Sequence, residues 1–271
     1  MEYHKIFERL WSDYIAFNPH AKKIYDLFVA EGEVILNDHI AFRTFNNPQI
    51  NVSILAEIFL DNGYEKKGEY TFVNKHLFAN HYEHKTDPLA PKVFISELIL
   101  EDFSPDFQQI IQSEIKCMDR NILLSDELIY AGNVWSKPTY ANYEILKKES
   151  EYAAWVYAFG FRANHFTVNV NALKKYNSLE KVNSFLKQHG FLINDAEGEI
   201  KGSPEELLEQ SSTKAGLIKV QFVEGEYEIP SCYYEFAKRY KDKDGKLYSG
   251  FIAKSADKIF ESTDFYEKES I

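Results

Sequence analysis

The spacing of hydrophobic positions changes several times along this chain, and each change marks an expected element. HKIFERLWSDYIAF and AKKIYDLFVAEG place aromatic and aliphatic residues at three- and four-residue steps, which predicts two helices over residues 4–31 with a break at Asn18-Pro19. VILNDHIAFRTF, residues 34–45, mixes β-branched and aromatic residues with polar ones and predicts a strand ended by Asn46-Asn47-Pro48. SILAEIFLDNGYEKKGEY then reads as an amphipathic helix, followed by strands at TFVNKHLFA and KVFISELIL. Ser104 as N-cap and Pro105 at the first helical position open a helix over SPDFQQIIQSEIKCMDR. Residues 135–160 read as helical, and KDKDGK in the charged tail reads as an exposed turn.

Behind the helical stretch the first pattern recurs. NHFTVNVN, SLEKVNSFLKQHGFLINDAEGE, AGLIKVQFVEG and SCYYEFAKR follow one another as the earlier segments do. His39 precedes Gly63 by 24 positions and His165 precedes Gly190 by 25, and each segment ends in an apolar strand with one acid, Glu97 or Glu235. The expectation is an α+β fold: two βαβββ modules, about 34–100 and 162–237, related by a pseudo-twofold axis. They should form one curved mixed sheet in a single domain spanning 1–271, with added N-terminal and connecting helices. Such modules can aim four metal-capable side chains at one point.

Composition narrows the function classes. The 21 Phe and 18 Tyr favour β-structure and a well-lined pocket, and a net charge of -11 argues against a nucleic-acid surface. An anionic substrate must therefore be held by a few placed cations. Two cysteines, Cys117 and Cys232, define no disulfide framework, and no Cys/His pattern makes Cys232 a nucleophile. The start MEYHKIFERLWSDY lacks the apolar core of a signal peptide and no run suits a membrane span, so a cytoplasmic location is expected. No phosphate-binding loop, dinucleotide fingerprint or serine-hydrolase elbow is present.

Alternation along a strand points His39, Ala41 and Arg43 one way. Ala41 leaves room between a metal ligand and a guanidinium, so an acid can take the metal at one end and the arginine's planar fork at the other. His165, Thr167 and Asn169 share a face of their strand, as Tyr233 and Glu235 do of theirs. Two imidazoles and one carboxylate with open positions suit a non-haem Fe(II) oxygenase, although Zn, Mn or Ni accept the same set. Glu97 is left between fourth ligand, support for a ligand and outward strand residue. His76, His81 and His84 are close in sequence, but the stretch FANHYEHKTDPLAP reads as a loop rather than a metal site. Gln210, Ser211, Ser212 and Lys214 either contact substrate or end a helix.

HIAFRTF, NHFTVNVN, LLEQSSTKA, YYEFAKR and FIAKSADKIFEST, in that order, resemble the 2-oxoadipate dioxygenase/decarboxylase family from about residue 30 to about 263. The resemblance implies a fold related to the vicinal-oxygen-chelate superfamily, which is built from paired βαβββ modules. It implies Fe(II) on His39, His165 and Glu235, with Arg43 binding a substrate carboxylate. It also implies a substrate contact at Ser255, where Lys254 replaces the apolar residue expected before it. The implied reaction turns a 2-oxo acid such as 2-oxoadipate, with O2, into 2-hydroxyglutarate and CO2. Two alternatives are a glyoxalase-like isomerase or lyase with His39, Glu97, His165 and Glu235 on Zn or Ni, and a non-catalytic small-molecule binding protein.

Overall fold

A computed structural model of the chain describes residues 3–123, 125–196 and 198–252. Helices α1 (Tyr3–Phe17) and α2 (Pro19–Ala30) meet at Asn18, as the Asn-Pro pair predicts. Asn18 is buried and does more than break the helix: its Oδ1 accepts hydrogen bonds from Ser231 Oγ and Cys232 N, fixing the helical pair to a distant segment.

Strand β1 (Asn37–Phe45) leads to α3 (Val52–Asp61), then β2 (Tyr64–Phe72), β3 (Leu77–His84) and β4 (Lys92–Leu98). The expected helix is cut short. Asn62 caps it, Gly63 adopts φ +93°, and YEKKGEYTF leaves as a strand with exposed residues between its buried ends. A Cβ on Gly63 would lie 2.6 Å from the His84 ring. The stretch around His81 and His84 is likewise a strand, not the loop its polarity suggested.

Helices α4 (Pro105–Lys116), α5 (Arg120–Leu123), α6 (Tyr140–Glu149) and α7 (Glu151–Phe159) connect the halves. The second half runs β5 (Ala163–Asn169), α8 (Leu179–Gln188), β6 (Lys201–Ser203), β7 (Leu208–Ser212), β8 (Leu217–Phe222), β9 (Gly225–Pro230) and β10 (Glu235–Arg239). LLEQSSTKA thus builds a strand, not a helix end. AGLIKVQFVEG instead supplies β8 of a separate hairpin with β9.

The eight-stranded sheet has the order β2-β3-β4-β1-β5-β10-β7-β6. Each half uses one rule: its first strand pairs in parallel with its last (β1 with β4, β5 with β10), which pairs antiparallel with an earlier strand of the same half (β4 with β3, β10 with β7). The halves meet at the antiparallel pair β1–β5, so the strand order reads alike outward from that seam. This is the expected mixed α+β sheet of two βαβββ units, with the β8–β9 hairpin inserted into the second.

One face of the sheet is apolar and carries helices. Phe42 packs on Phe59 of α3, Phe166 on Trp11 and Tyr14 of α1, and Phe236 on Phe28 of α2. Alternation turns His39, Arg43, His165, Thr167 and Glu235 to the other face, where all five are buried. Burying that many polar groups is costly unless they bind one another or a ligand.

Candidate metal centre

Register brings the site together. His39 on β1 pairs with Thr167 on β5, and Thr167 pairs with Glu235 on β10, so three neighbouring strands present one row. His165 stands two residues from Thr167 on the same face, opposite Ala41. Ligand atoms of His39, His165 and Glu235 lie within 4.8 Å of one another.

Glu235 faces both imidazoles: Oε1 is 3.4 Å from His39 Nε2 and Oε2 is 3.4 Å from His165 Nε2. Two donors each about 2.1 Å from a metal, at right-angled to tetrahedral angles, are ~3.0–3.4 Å apart. The spacing suits a shared ion.

The imidazoles are aimed by the residues just before them. At Asp38 strand β1 spends an extra residue against β5, and at Asn164 β5 spends one against β1. These bulges turn both side chains toward the following ring. His39 Nδ1–H donates to Asp38 Oδ1 at 2.8 Å, and His165 Nδ1–H donates to Asn164 Oδ1 at 3.0 Å. Each Nε2 is thereby left as an electron-pair donor directed at Glu235. Thr167 Oγ1 meets that pair on His39 at 3.1 Å.

Behind Asp38 stands Arg239, whose Nε and Nη2 donate to its two oxygens at 2.7 and 2.8 Å. Although burial opposes ionisation of Asp38, the charge of Arg239 and the hydrogen bonds from His39 and Arg239 hold its carboxyl far below the usual range. Gln210 Nε2 donates to Glu235 Oε1 at 2.6 Å.

The protonation pattern invites a cation. Desolvation lowers the pKa of His39 against the pull of Asp38. His165 is lowered further by desolvation, by His39 and by the charge of Arg43. Burial pushes the Glu235 carboxyl up to about 8, and its Oε2 has no hydrogen-bond partner among the described residues. Two neutral imidazoles and a carboxyl short of positive charge form a donor set that fits a divalent metal.

Arg43 lies on the same face, two pleats beyond His39, and is 2 % exposed. Its guanidinium carbon sits 4.9 Å from the Tyr152 ring centre and 5.5 Å from that of Trp155, both on α7. Tyr152 Oη in turn donates to Ser96 O and accepts from Thr44 N, tying the aromatic box to the sheet. Tyr233 stacks on His165 at 4.7 Å, and Phe251 stands edge-on to His39 at 4.9 Å.

Other sequence candidates separate from this cluster. Glu97 lies on the opposite face, where its Oε2 accepts from Val52 N at the start of α3. The four-ligand arrangement thus loses its fourth member. Counting from each histidine, the partner of Glu235 in the first half is Phe94, which pairs with Ala41, two residues beyond His39. His76 bonds Asp102 at an exposed position, and His84 accepts from Asp87 N. His81 is buried between Tyr70 and Glu83. Ser212 pairs with Glu235 across β7–β10, Ser211 turns away to Asn183, and Lys214 pairs with the exposed Asp195. Burial pushes the Cys232 thiol up to about 12, unsuited to a nucleophile. Ser255 and Lys254 lie outside the described residues.

A sequence profile of the 2-oxoadipate dioxygenase/decarboxylase family matches residues 9–134 and 126–242. The chain belongs to that family. A rice relative named 2-oxoadipate dioxygenase/decarboxylase, chloroplastic/amyloplastic, is 36 % identical, over 92 % of this chain and 75 % of its own. The crystal structure of rice hydroxyglutarate synthase in complex with 2-oxoadipate superposes with TM-score 0.91 at 34 % identity, covering 97 % of this chain and 92 % of that one. A protein from Shewanella frigidimarina that carries a provisional hydrolase name gives TM-score 0.88 at 51 % identity, covering 92 % and 97 %. In fold alone, a Ralstonia eutropha protein provisionally assigned to the glyoxalase superfamily matches with TM-score 0.71 at 20 % identity, covering 90 % and 86 %. Among the described residues of this family member, no helix is long and apolar enough to cross a membrane.

The residues before the two histidines, together with Arg239, Tyr152, Trp155 and Phe251, are functional neighbours that the sequence patterns passed over. One signal was available: each histidine follows an Asx residue, in Asp38-His39 and Asn164-His165.

Proposed function

We propose that this protein is an Fe(II) dioxygenase that converts a 2-oxo dicarboxylic acid of the 2-oxoadipate class, with O2, to the 2-hydroxy acid one carbon shorter and CO2. The reaction balances: the C1 carboxylate leaves as CO2, one atom of O2 enters the new carboxylate and the other the new α-hydroxyl. The observation that carries the reading is the three-donor cluster of His39, His165 and Glu235 with Arg43 two pleats away on the same face. Membership of the dioxygenase/decarboxylase family supports it, as does similarity to the rice enzyme bound to 2-oxoadipate.

A metal held by these three side chains would supply the redox centre for O2 and a Lewis acid for the keto and carboxylate oxygens of the substrate. The protein's own residues do the rest. Arg43 presents a planar fork to a substrate carboxylate, and the Tyr152 and Trp155 rings of α7 stand beside that fork. Ala41 leaves space between fork and ligands, while Phe94, Phe251 and Tyr233 exclude water around it. Glu235 must release its proton to bind metal, and Gln210 steadies the carboxylate that results.

The test is anaerobic Fe(II) loading followed by oxygen-electrode and CO2 measurements on a panel of 2-oxo mono- and dicarboxylic acids. Equal uptake of O2 and release of CO2, greatest with a dicarboxylic acid, is the expected result. Turnover that persists without O2 would point to an isomerase, lyase or hydrolase instead. Full iron loading with no O2 uptake on any 2-oxo acid would end the dioxygenase reading.

A further inference from the structure

Arg239 is 5 % exposed and spends its guanidinium in two directions. Nε and Nη2 form a fork on Asp38, the residue that orients His39. Nη1 donates to the carbonyls of Tyr248 and Gly250, at 3.1 and 2.7 Å. Those carbonyls belong to the segment that carries Phe251, whose ring is perpendicular to the His39 imidazole at 4.9 Å. The same guanidinium therefore fixes His39 from behind, through Asp38, and from the flank, through Phe251.

A second, partly buried chain holds the segment from the other side. Phe251 N donates to Tyr70 Oη, Tyr70 Oη meets His81 Nδ1 at 2.8 Å, and His81 Nε2 meets Glu83 Oε1 at 3.0 Å. Phe251 also packs on Phe94 at 4.9 Å, beside Ala41 of the pocket.

We propose that Arg239 is a positioning residue for His39 and that it couples the order of segment Tyr248–Ile252 to metal binding at His39, His165 and Glu235. The inference rests on the metal reading of those three residues. Its physical basis is reciprocity: a metal on Nε2 fixes the imidazole, the imidazole fixes Asp38, and Asp38 fixes the guanidinium that grips the two carbonyls. Ordering of the segment must then favour the metal by the same factor. Neutralising Asp38 alone would need a cation but not this fork. A lysine keeps the charge yet cannot serve both carboxylate oxygens and two carbonyls with one ammonium.

Mn(II) serves as the probe, with affinity read by calorimetry and segment order by amide hydrogen exchange of the peptide covering residues 247–252. In the wild-type protein Mn(II) should slow exchange at the amides of Tyr248 and Phe251, which donate to Tyr240 O and Tyr70 Oη. Arg239→Lys should bind Mn(II) ~10–100-fold more weakly, and the metal should no longer slow exchange there. Asp38→Asn breaks the relay at its other end and should give the same paired losses, so it decides the matter if the Lys variant does not fold. Tyr70→Phe removes only the second anchor; exchange should be faster without metal but still slowed by it. Mn(II) binding to wild type with no change in exchange at 247–252 overturns the coupling and leaves the metal site standing. So does Mn(II) affinity in Arg239→Lys within twofold of wild type. A wild-type protein that binds no Mn(II) refutes the metal reading itself, and this inference with it.

Discussion

Metal affinity should depend on pH through one residue, Glu235. In the metal-free protein burial pushes its pKa up to about 8, while both histidines are shifted below the ordinary imidazole value. Between pH 6.5 and 8.5 the proton that a metal must displace is therefore the one on Glu235. A group with that pKa is ~90 % protonated at pH 7, so the apparent dissociation constant there is ~11 times the intrinsic one, a cost of about 1.4 kcal/mol. Affinity should rise almost tenfold from pH 6 to 7, another fivefold or so to pH 8, and flatten above pH 9. Calorimetry of Mn(II) binding in buffers of different ionisation enthalpy reads both the slope and the released proton, about 0.9 per metal at pH 7.

The same shift has an opposite consequence for stability. The folded carboxyl holds its proton more tightly than the unfolded one, whose pKa is about 4.3. In the metal-free protein the contribution of this group to stability should accordingly fall as pH rises from about 4 to 8, by up to ~5 kcal/mol, and saturating metal should offset that fall. A metal affinity that is flat between pH 6 and 8 would refute the argument. It would mean that Glu235 is already ionised in the empty site, or that it is not a ligand.

Four further outcomes follow from named contacts. Arg43→Lys keeps the charge but loses the fork, so kcat/KM should fall by roughly 2–4 kcal/mol at unchanged metal content; a near-silent variant would remove Arg43 from the substrate site. Gln210→Ala strips a hydrogen bond from Glu235 and should weaken Mn(II) binding ~10–100-fold by calorimetry, with little change in the far-ultraviolet circular dichroism. Glu97→Gln alters only the support of the α3 N-terminus, so metal content should stay intact while thermal stability drops by about 1 kcal/mol; loss of metal would revive the four-ligand arrangement. Gly160→Ala should cost more than ~2 kcal/mol in urea denaturation, because φ is +66° and the new Cβ would lie 2.0 Å from Gly132 O.

Periodicity made the helices and the duplicated frame legible, because burying one face leaves a mark at every third or second residue. It could not show which strands pair. β8 alternates exposed and half-buried residues much as a strand at the edge of a main sheet would, yet among the described residues it pairs only with β9. β7 was hidden for the opposite reason: LEQSS is polar because Gln210 and Ser212 face Glu235's side of the sheet, and that polarity imitates a helix end. His81 misled in the same way, since His81 and Glu83 lie on a strand and pair with each other on the face that carries the site. The two bulges left only a faint trace, an Asx before each histidine, because an extra residue is defined by the partner strand and not by its own sequence.

The acid of the first half shows how the repeat yields an asymmetric site. Both halves end in a strand with one Glu, and an alignment by sequence sets Glu97 against Glu235. Register sets Phe94 there instead and turns Glu97 to the far side of the sheet, to the start of α3. Side chains alternate faces, so moving an acid by three positions transfers it from the pocket to the helix layer. With Phe94 in that place, both carboxylate oxygens facing the imidazoles come from β10, and the first half contributes Ala41, Phe94 and Arg43. One half thus supplies the carboxylate and one imidazole; the other supplies the second imidazole and an apolar floor ending in a guanidinium. A chain that kept a carboxylate at both places would crowd the ion with protein ligands and place a negative charge where an anionic acid must lie. The departure from symmetry at Phe94 is what suits this site to a 2-oxo acid.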